Sequence, residues 1–252
     1  NTIDPDYKFL FSKSFVLLKL KKFNEALESI NQTINLNKNL DEAYNLKAII
    51  FENLNRDEDA IKNWQKAIKI NENYAEAYFN LANYYSFNNN YELSLDCYNN
   101  ALRINKKYFL ALVNRADLHY KNQKFEFALM DYNNLISINP DIARLHYQKA
   151  SILNHLGQLK GAISALNEAI NLKPKFAKAF FLRGTIVWKM KMYKQALIDL
   201  EKAYNLKKEN YFLNSLIVLK SILCDWKNIE NYRKELVKTI KSNEKFIYPI
   251  FI

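Results

Sequence analysis

The sequence predicts an all-α fold, a solenoid built from pairs of antiparallel helices. The 252-residue chain contains only three Gly and four Pro, too few for the turns that a sheet protein needs at its hairpins. Small and apolar residues also recur at a constant spacing of 34 residues, which is typical of a repeat protein. Because 49% of the residues are hydrophobic, the composition indicates a packed chain rather than a disordered one.

The repeat consists of five columns of similar residues in six consecutive copies. Three columns hold mainly small residues: Ser14, Ala48, Ala82, Ala116, Ala150 and Gly184; then Ala26, Ala60, Ser94, Ala128, Ala162 and Ala196; then Thr33, Ala67, Ala101, Leu135, Ala169 and Ala203. Two columns hold larger apolar residues: Ile30, Trp64, Tyr98, Tyr132, Leu166 and Leu200; then Leu36, Ile70, Ile104, Ile138, Leu172 and Leu206. Small residues let helices cross closely and large ones fill the space between layers, so each copy is expected to be one helix pair.

The ends of the helices are indicated by short polar runs. Asn88-Asn89-Asn90 and Gly157-Gln158 fall between the two helices of a copy, and Asn139-Pro140 and Lys173-Pro174 fall between copies. Proline cannot continue a helix, so both Pro residues fit a stop between repeats.

A 34-residue period with these columns resembles the tetratricopeptide repeat (TPR). The resemblance covers residues 7–210 as six repeats and implies a right-handed superhelical solenoid, whose first helices form a concave wall that binds extended peptides. Residues 1–6 are expected to end a preceding repeat, because Asp4-Pro5 resembles the stop between repeats. Residues 211–252 are expected to form an atypical helix pair and an apolar tail that cap the array.

This last pair is predicted from an apolar stripe without the small-residue columns. Residues 211–223 are expected to form one helix, and Asp225 is expected to cap the next one. The stripe of the second helix consists of Trp226, Ile229, Tyr232, Leu236, Val237 and Ile240. The tail at residues 246–252 is apolar and is expected to dock on another surface.

Candidate ligand-binding residues are amides on the first helices. Asn80 and Asn114 occupy a column in which TPR proteins carry an Asn ladder, Gln148 continues it, and Asn45 lies one residue out of register. An amide both donates and accepts, so it can hold a peptide backbone whatever the side chains. The alternative is that these are incidental surface amides. A carboxylate clamp is not expected, because the neighbouring column reads Phe11, Asn45, Phe79, Val113, Tyr147 and Phe181.

No catalytic, metal or cofactor site is predicted. The three Gly residues cannot form a phosphate-binding loop, and His119, His146 and His155 lie far apart. Cys97 and Cys224 are expected to be reduced thiols of a cytoplasmic protein. The chain has no apolar run long enough to span a membrane. The expected partner is a protein or peptide, and a homodimer is left open.

Basic charge is concentrated in the C-terminal third. Residues 173–252 hold 17 Lys or Arg and seven Asp or Glu, whereas residues 1–172 hold 20 and 19. This leaves a second hypothesis, in which the C-terminal third of the chain binds an anionic partner such as RNA, phospholipid or an acidic protein. Most aromatic residues fall in the packing columns, which argues against a nucleic-acid stacking platform.

The segment Leu219 to Trp226 resembles the end of the repeat array in O-linked N-acetylglucosaminyltransferases and their SPINDLY-like relatives. The resemblance rests on the Cys224-Asp225-Trp226 step and the amphipathic helix after it. It implies that the chain is the substrate-recognition arm of a protein O-glycosyltransferase. The alternatives are a stand-alone TPR adaptor and the anionic-partner hypothesis.

Overall fold

The computed structural model describes residues 6–242, and within them the chain forms fourteen α-helices and no strand. The predicted all-α fold is confirmed. The helices are α1 (Asp6–Lys19), α2 (Phe23–Leu36), α3 (Asp41–Asn53), α4 (Asp57–Ile70), α5 (Ala75–Phe87), α6 (Tyr91–Ile104), α7 (Phe109–Lys121), α8 (Phe125–Ile138), α9 (Ala143–His155), α10 (Leu159–Leu172), α11 (Ala177–Lys189), α12 (Tyr193–Leu206), α13 (Asn210–Ile222) and α14 (Ile229–Ser242).

The chain divides into two compact units, residues 1–123 and 124–252, called unit 1 and unit 2. In unit 1, α1 packs with α2, α3 with α4, and α5 with α6, and each pair also contacts the helix that follows it. In unit 2, α8 packs on α9, and α9 with α10, α11 with α12 and α13 with α14 form pairs. The division into six repeats at 7–210, with different flanks, stays a prediction.

Besides Asn228 in the turn before α14, a residue with left-handed backbone conformation lies two positions after the end of every odd-numbered helix. These residues are Lys21, Asn55, Asn89, Gln123, Gly157, Lys191 and Cys224, with φ between 53° and 72°. In the second pair, for example, the Arg56 N–H donates to Phe51 O (2.9 Å) and the Asn55 N–H donates to Glu52 O (3.0 Å). These bonds satisfy the last carbonyls of the first helix. A turn this short explains how the chain manages with three Gly residues.

The small-residue columns lie where two helices cross. Ala26, Ala60, Ala162 and Ala196 are fully buried. A Cβ atom added to Gly184 would lie 3.1 Å from both Asp199 Cβ and Leu200 Cδ2, so a larger residue there would require these neighbours on α12 to shift. Polar members of the columns bond to the neighbouring helix: the Ser14 hydroxyl donates to Ala26 O at 2.9 Å.

A buried ion pair joins α11 to α12. Asp199 is 1% exposed, and its two carboxylate oxygens accept from Arg183 Nε at 2.8 Å and Nη2 at 2.7 Å. Arg183 Nη1 also donates to Asn167 on α10 at 2.7 Å. The planar guanidinium therefore connects three helices of unit 2, a geometry that lysine cannot reproduce.

The pair of α13 and α14 differs from the sequence-based prediction at Asp225. Helix α14 begins at Ile229, four residues after Asp225, so Asp225 does not cap it. Its carboxylate accepts instead from the Lys227 N–H and from the buried ammonium of Lys220 at 2.6 Å. Lys220 also pairs with Glu201 at 3.1 Å. Asp225 is thus the counter-ion of a buried lysine.

The predicted apolar stripe is correct only in part. Ile229 is buried, and Tyr232 and Leu236 pack against the core of unit 2. Trp226 is 60% exposed and Val237 is 50% exposed, so neither fills the core. Trp226 lies in the turn before α14 and its side chain is not covered by a helix. The side chain of Ile240 and the tail at 246–252 lie outside the described residues, as does Asp4-Pro5.

Candidate peptide-binding face

Asn45 and Asn80 meet in unit 1. Asn45, on α3, is 4% exposed, and its Nδ2 donates to the Tyr74 hydroxyl at 3.2 Å. Asn80 Nδ2, on α5, donates to Asn45 Oδ1 at 3.0 Å. Burial raises the pKa of Tyr74, so its hydroxyl stays protonated. Asn45 therefore links two successive first helices, and the partly buried Asn80 lies at the outer end of this chain of hydrogen bonds.

Asn114 belongs to a second group that includes Asn83, a residue that the sequence reasoning missed. Asn83 Oδ1 accepts from the Tyr98 hydroxyl at 2.6 Å and from Asn114 Nδ2 at 2.7 Å. Burial raises the pKa of Tyr98 to about 12. The signal was available, because Asn83 lies three residues after Asn80 and such residues share a helix face. The carbonyl oxygen of Asn114 keeps the capacity to accept from a ligand.

Gln148 lies in unit 2, on α9. Its Nε2 donates to the Tyr132 hydroxyl of α8 at 3.3 Å, and its side chain is partly buried. The structure thus brings together Asn45 with Asn80, and Asn114 with Asn83, and places Gln148 in the other unit. Whether these amides hold a peptide stays a prediction.

The first helix of each pair in unit 2, that is α9, α11 and α13, keeps one side toward solvent. On α11, Ala179 and Ile186 are buried with residues of α10, while Val187 is buried with residues of α12. The remaining side of α11 carries Lys178, Phe181, Thr185, Trp188 and Lys189, none of them fully buried.

Equivalent residues lie 34 positions earlier on α9 and 33 positions later on α13. They are Arg144, Tyr147, Ser151, Asn154, His155, Tyr211, Asn214, Val218, Ser221 and Ile222. These residues, with the five of α11, are called the first-helix face of unit 2. The face joins hydrogen-bonding, aromatic and cationic side chains, which suits it to bind a polypeptide segment.

His119 and His155 contact aromatic side chains and Cys97 is buried, so these three residues have structural roles. The Tyr91 hydroxyl is 3.0 Å from His119 Nδ1, and the His155 ring stacks on Phe125 at 4.9 Å. Cys97 is buried, and burial, with the Asp96 carboxylate nearby, raises the pKa of its thiol to about 12. The thiol is therefore protonated at neutral pH, unlike an activated nucleophile.

The described residues contain neither a candidate metal-binding cluster nor a candidate membrane-spanning helix. Among residues 6–242, no three His, Cys, Asp or Glu side chains group closely enough to hold a metal ion. No helix in that range has the length and hydropathy required to cross a bilayer.

Comparison with known families identifies the repeats. One family model, described as TPR repeat, matches residues 53–86 and 150–191. A second, described as tetratricopeptide repeat, matches residues 75–108 and 177–210. The chain therefore contains TPR repeats, and its fold is a TPR solenoid. The glycosyltransferase resemblance is not supported by these matches, which describe repeats only.

Solved structures share the fold at low sequence identity. The C-terminal part of a TPR repeat-containing protein from Cytophaga hutchinsonii is 16% identical, with a TM-score of 0.78 over 93% of this chain and 97% of that one. YrrB, described as a TPR protein with an unusual peptide-binding site, is 22% identical, with a TM-score of 0.65 over 74% and 96%. MamA protein is 15% identical, with a TM-score of 0.61 over 71% and 98%. Comparison with curated proteins found no significant match.

Proposed function

We propose that this chain is a protein-interaction scaffold that binds an extended protein segment along its first helices and has no catalytic role of its own. The observation that carries the proposal is the set of partly buried amides on successive first helices, Asn80, Asn83 and Asn114. Each is held by neighbouring side chains, so little conformational entropy is lost when a ligand binds. The binding of peptide by YrrB, which has the same fold, is consistent with it.

Backbone recognition by amides predicts broad tolerance of ligand side chains. An amide oxygen accepts from a peptide N–H, and its NH₂ group donates to a peptide C=O, without reference to side chains. Each such bond contributes about 1 kcal/mol, so affinity is expected to be distributed over many weak contacts. Extended or disordered protein segments are the ligands that present an unpaired backbone.

Peptides are first selected by display against the wild-type chain. Their affinity for the wild-type chain is then compared with their affinity for a variant. Asn80→Ala combined with Asn114→Ala is expected to weaken these peptides by about 30-fold, since two lost bonds are worth about 2 kcal/mol. Asn31→Ala combined with Gln65→Ala is the control, because both amides are exposed on second helices. Equal affinity in all three proteins would remove the amides from the proposal, and a failure to select any peptide would end it.

Folding must be measured beside binding. Asn80 donates to the nearly buried Asn45, so its removal leaves Asn45 Oδ1 short of a donor and is expected to cost about 1 kcal/mol of stability. Binding is therefore compared at a temperature where circular dichroism shows the variant to be fully helical. The sequence alone gave no reason to expect this cost.

A place within a protein O-glycosyltransferase is a narrower hypothesis, supported only by the sequence from Leu219 to Trp226 and by the amphipathic helix that follows it. Cys224 is a left-handed turn residue, Asp225 is the counter-ion of Lys220, and Trp226 is exposed. Cys224 and Asp225 thus have local structural roles that a stand-alone adaptor would share, and the exposure of Trp226 favours neither hypothesis. Reading the gene on both sides of this segment tests the hypothesis: an in-frame nucleotide-sugar-binding domain supports it, and the absence of such a domain contradicts it.

The second candidate function is binding of an anionic partner by the basic C-terminal third. The charge balance of residues 173–252 favours it, although Lys220 is buried and already paired. Binding of a mixed-sequence oligonucleotide at low and physiological salt tests it. Contacts to phosphates must weaken steeply as salt rises, so undetectable binding at low salt would dismiss a nucleic-acid partner.

A further inference from the structure

The first-helix face of unit 2 is positively charged. Arg144 and Lys178 are the second residues of α9 and α11, and Lys189 is the last residue of α11. None of the fifteen residues that define the face is Asp or Glu. The nearest carboxylate in sequence, Glu209, is neutralised by Lys207, and it also bonds the Tyr211 hydroxyl. Glu209 also interacts electrostatically with Lys178, so the face presents three cations, no carboxylate of its own, and one neighbouring carboxylate that Lys178 shares with Lys207.

The same face also carries apolar side chains. The Phe181 ring packs on Phe212 at 4.7 Å and meets the Tyr211 ring edge-on at 5.1 Å. On α13, Val218 is 42% exposed and Ile222 is 53% exposed. These two lie four residues apart and so share one side of the helix. A run of partly exposed apolar groups beside cations marks an interaction surface.

The positive charge distinguishes this face from α3 and α5 of unit 1, although α1 also carries Lys8 and Lys19 at the equivalent positions. On α3 and α5 of unit 1, the equivalent positions carry three carboxylates, Glu42, Glu52 and Glu76, and no Lys or Arg. Burial, with Asp57 nearby, raises the pKa of Glu52. The same helical scaffold therefore presents acidic charge on two helices of one unit and basic charge on two helices of the other.

We propose that the first-helix face of unit 2 binds an acidic protein segment in which apolar side chains alternate with Asp or Glu. The proposal rests on the scaffold function above and specifies the chemistry of its ligand. Carboxylates would pair with Arg144, Lys178 and Lys189, and apolar side chains would pack on the partly exposed groups around Phe181 and Val218. Burying a Leu- or Phe-sized side chain contributes more than a solvent-exposed ion pair, so the apolar positions supply affinity and the charges select the ligand.

A polypeptide fits this face better than a nucleic acid. Nucleic-acid grooves carry a row of cations along the backbone and aromatic rings whose faces are open to bases. Here Phe181 is covered by Phe212 and Tyr211, and Tyr147 packs against Phe176 at 5.2 Å. Val218 and Ile222 offer nothing to a base or a phosphate. The cations are too few, and too mixed with aliphatic groups, for a phosphate track.

The test uses three synthetic peptides of about ten residues. At about 3.3 Å per extended residue, each is about 33 Å long. The first alternates Glu with Leu and Phe, the second replaces every Glu by Lys, and the third keeps Glu but replaces the apolar residues by Ser. Binding to the full chain is measured by fluorescence anisotropy of a label on the peptide. We expect the first peptide to bind at least tenfold more tightly than either of the others.

Charge-reversal variants locate the binding. Lys178→Glu combined with Lys189→Glu is expected to weaken the acidic peptide by tenfold or more and to improve binding of the basic one. Lys194→Glu combined with Lys202→Glu makes the same change in net charge at exposed positions of α12, and is expected to change the affinity by less than threefold. Equal effects of the two pairs would show attraction by net charge alone and would overturn the proposed site.

The outcomes separate this inference from the scaffold function. Tight binding of the basic peptide, or equal binding of all three, would overturn the acidic preference and leave peptide binding intact. Failure of all three here, together with failure of peptide selection by display, would overturn the scaffold function as well. Tight, salt-sensitive binding of an oligonucleotide that competes with the acidic peptide would overturn the assignment of a protein ligand to this face.

Discussion

The ion pair of Arg183 and Asp199 gives a stringent test of what holds unit 2 together. Asp199→Ala removes a carboxylate that is 1% exposed and that accepts two guanidinium bonds of 2.8 and 2.7 Å. Deleting one partner of a buried pair costs about 3–5 kcal/mol, because the other charge is left without compensation. Here the Arg183 side chain is 20% exposed, so water can reach part of the guanidinium. We therefore expect a loss of about 2–3 kcal/mol.

Urea denaturation followed by circular dichroism measures this loss. With a urea slope of about 2 kcal/mol per molar, the midpoint is expected to fall by about 1 M. Because repeats open locally, hydrogen exchange should rise first in α11 and α12. Asp199→Asn keeps the shape and removes the charge, so it is expected to recover only part of the loss.

Glu230→Ala is the matched control, since it breaks the Glu230–Arg233 pair of 3.0 Å between side chains that are 70% and 49% exposed. Its expected cost is below about 0.5 kcal/mol, the usual contribution of a surface pair along one helix. If Asp199→Ala costs no more than this control, the reasoning that burial makes the Arg183 pair structurally important is refuted.

Two further predictions concern the helix crossing and the last pair. Gly184→Ala is expected to destabilise the chain by about 1 kcal/mol, because the new Cβ meets two atoms at 3.1 Å and overpacking outweighs helix propensity. Gly161→Ala is the control, because a Cβ atom added there lies 3.5 Å from its nearest neighbour. It is expected to stabilise the chain by about 0.5 kcal/mol, and thermal melts measure both changes. The Lys220 ammonium lowers the pKa of Asp225, so the pair contributes stability above about pH 4 and loses it as pH falls further. Urea midpoints of wild type and Asp225→Asn should therefore differ at pH 7, and the difference should shrink as the pH falls below about 4; a difference that does not depend on pH would contradict the ion-pair role.

The helices themselves could be predicted from the sequence because their causes are local and periodic. A small residue every 34 positions permits a close crossing, and the columns from Ala26 to Ala196 are buried as expected. Gly184 belongs to such a column, and its contacts explain why even a methyl group is tight there. The sequence also identified the amides at Asn80 and Asn114, since residue type and register are visible in the chain.

What each polar side chain bonds to was decided by tertiary structure. Asp225 had the residue type and position of a helix cap, but a cap depends on where the next helix starts, and α14 starts at Ile229. Trp226 fitted an apolar stripe, yet periodicity cannot tell whether a neighbouring helix covers that side. Asn45 looked displaced from the ladder, whereas its buried amide joins Tyr74 and Asn80. Spacing along one chain determines which residues share a helix face; which atoms lie within 3 Å depends on how separate helices pack, and that is settled only when the whole unit folds.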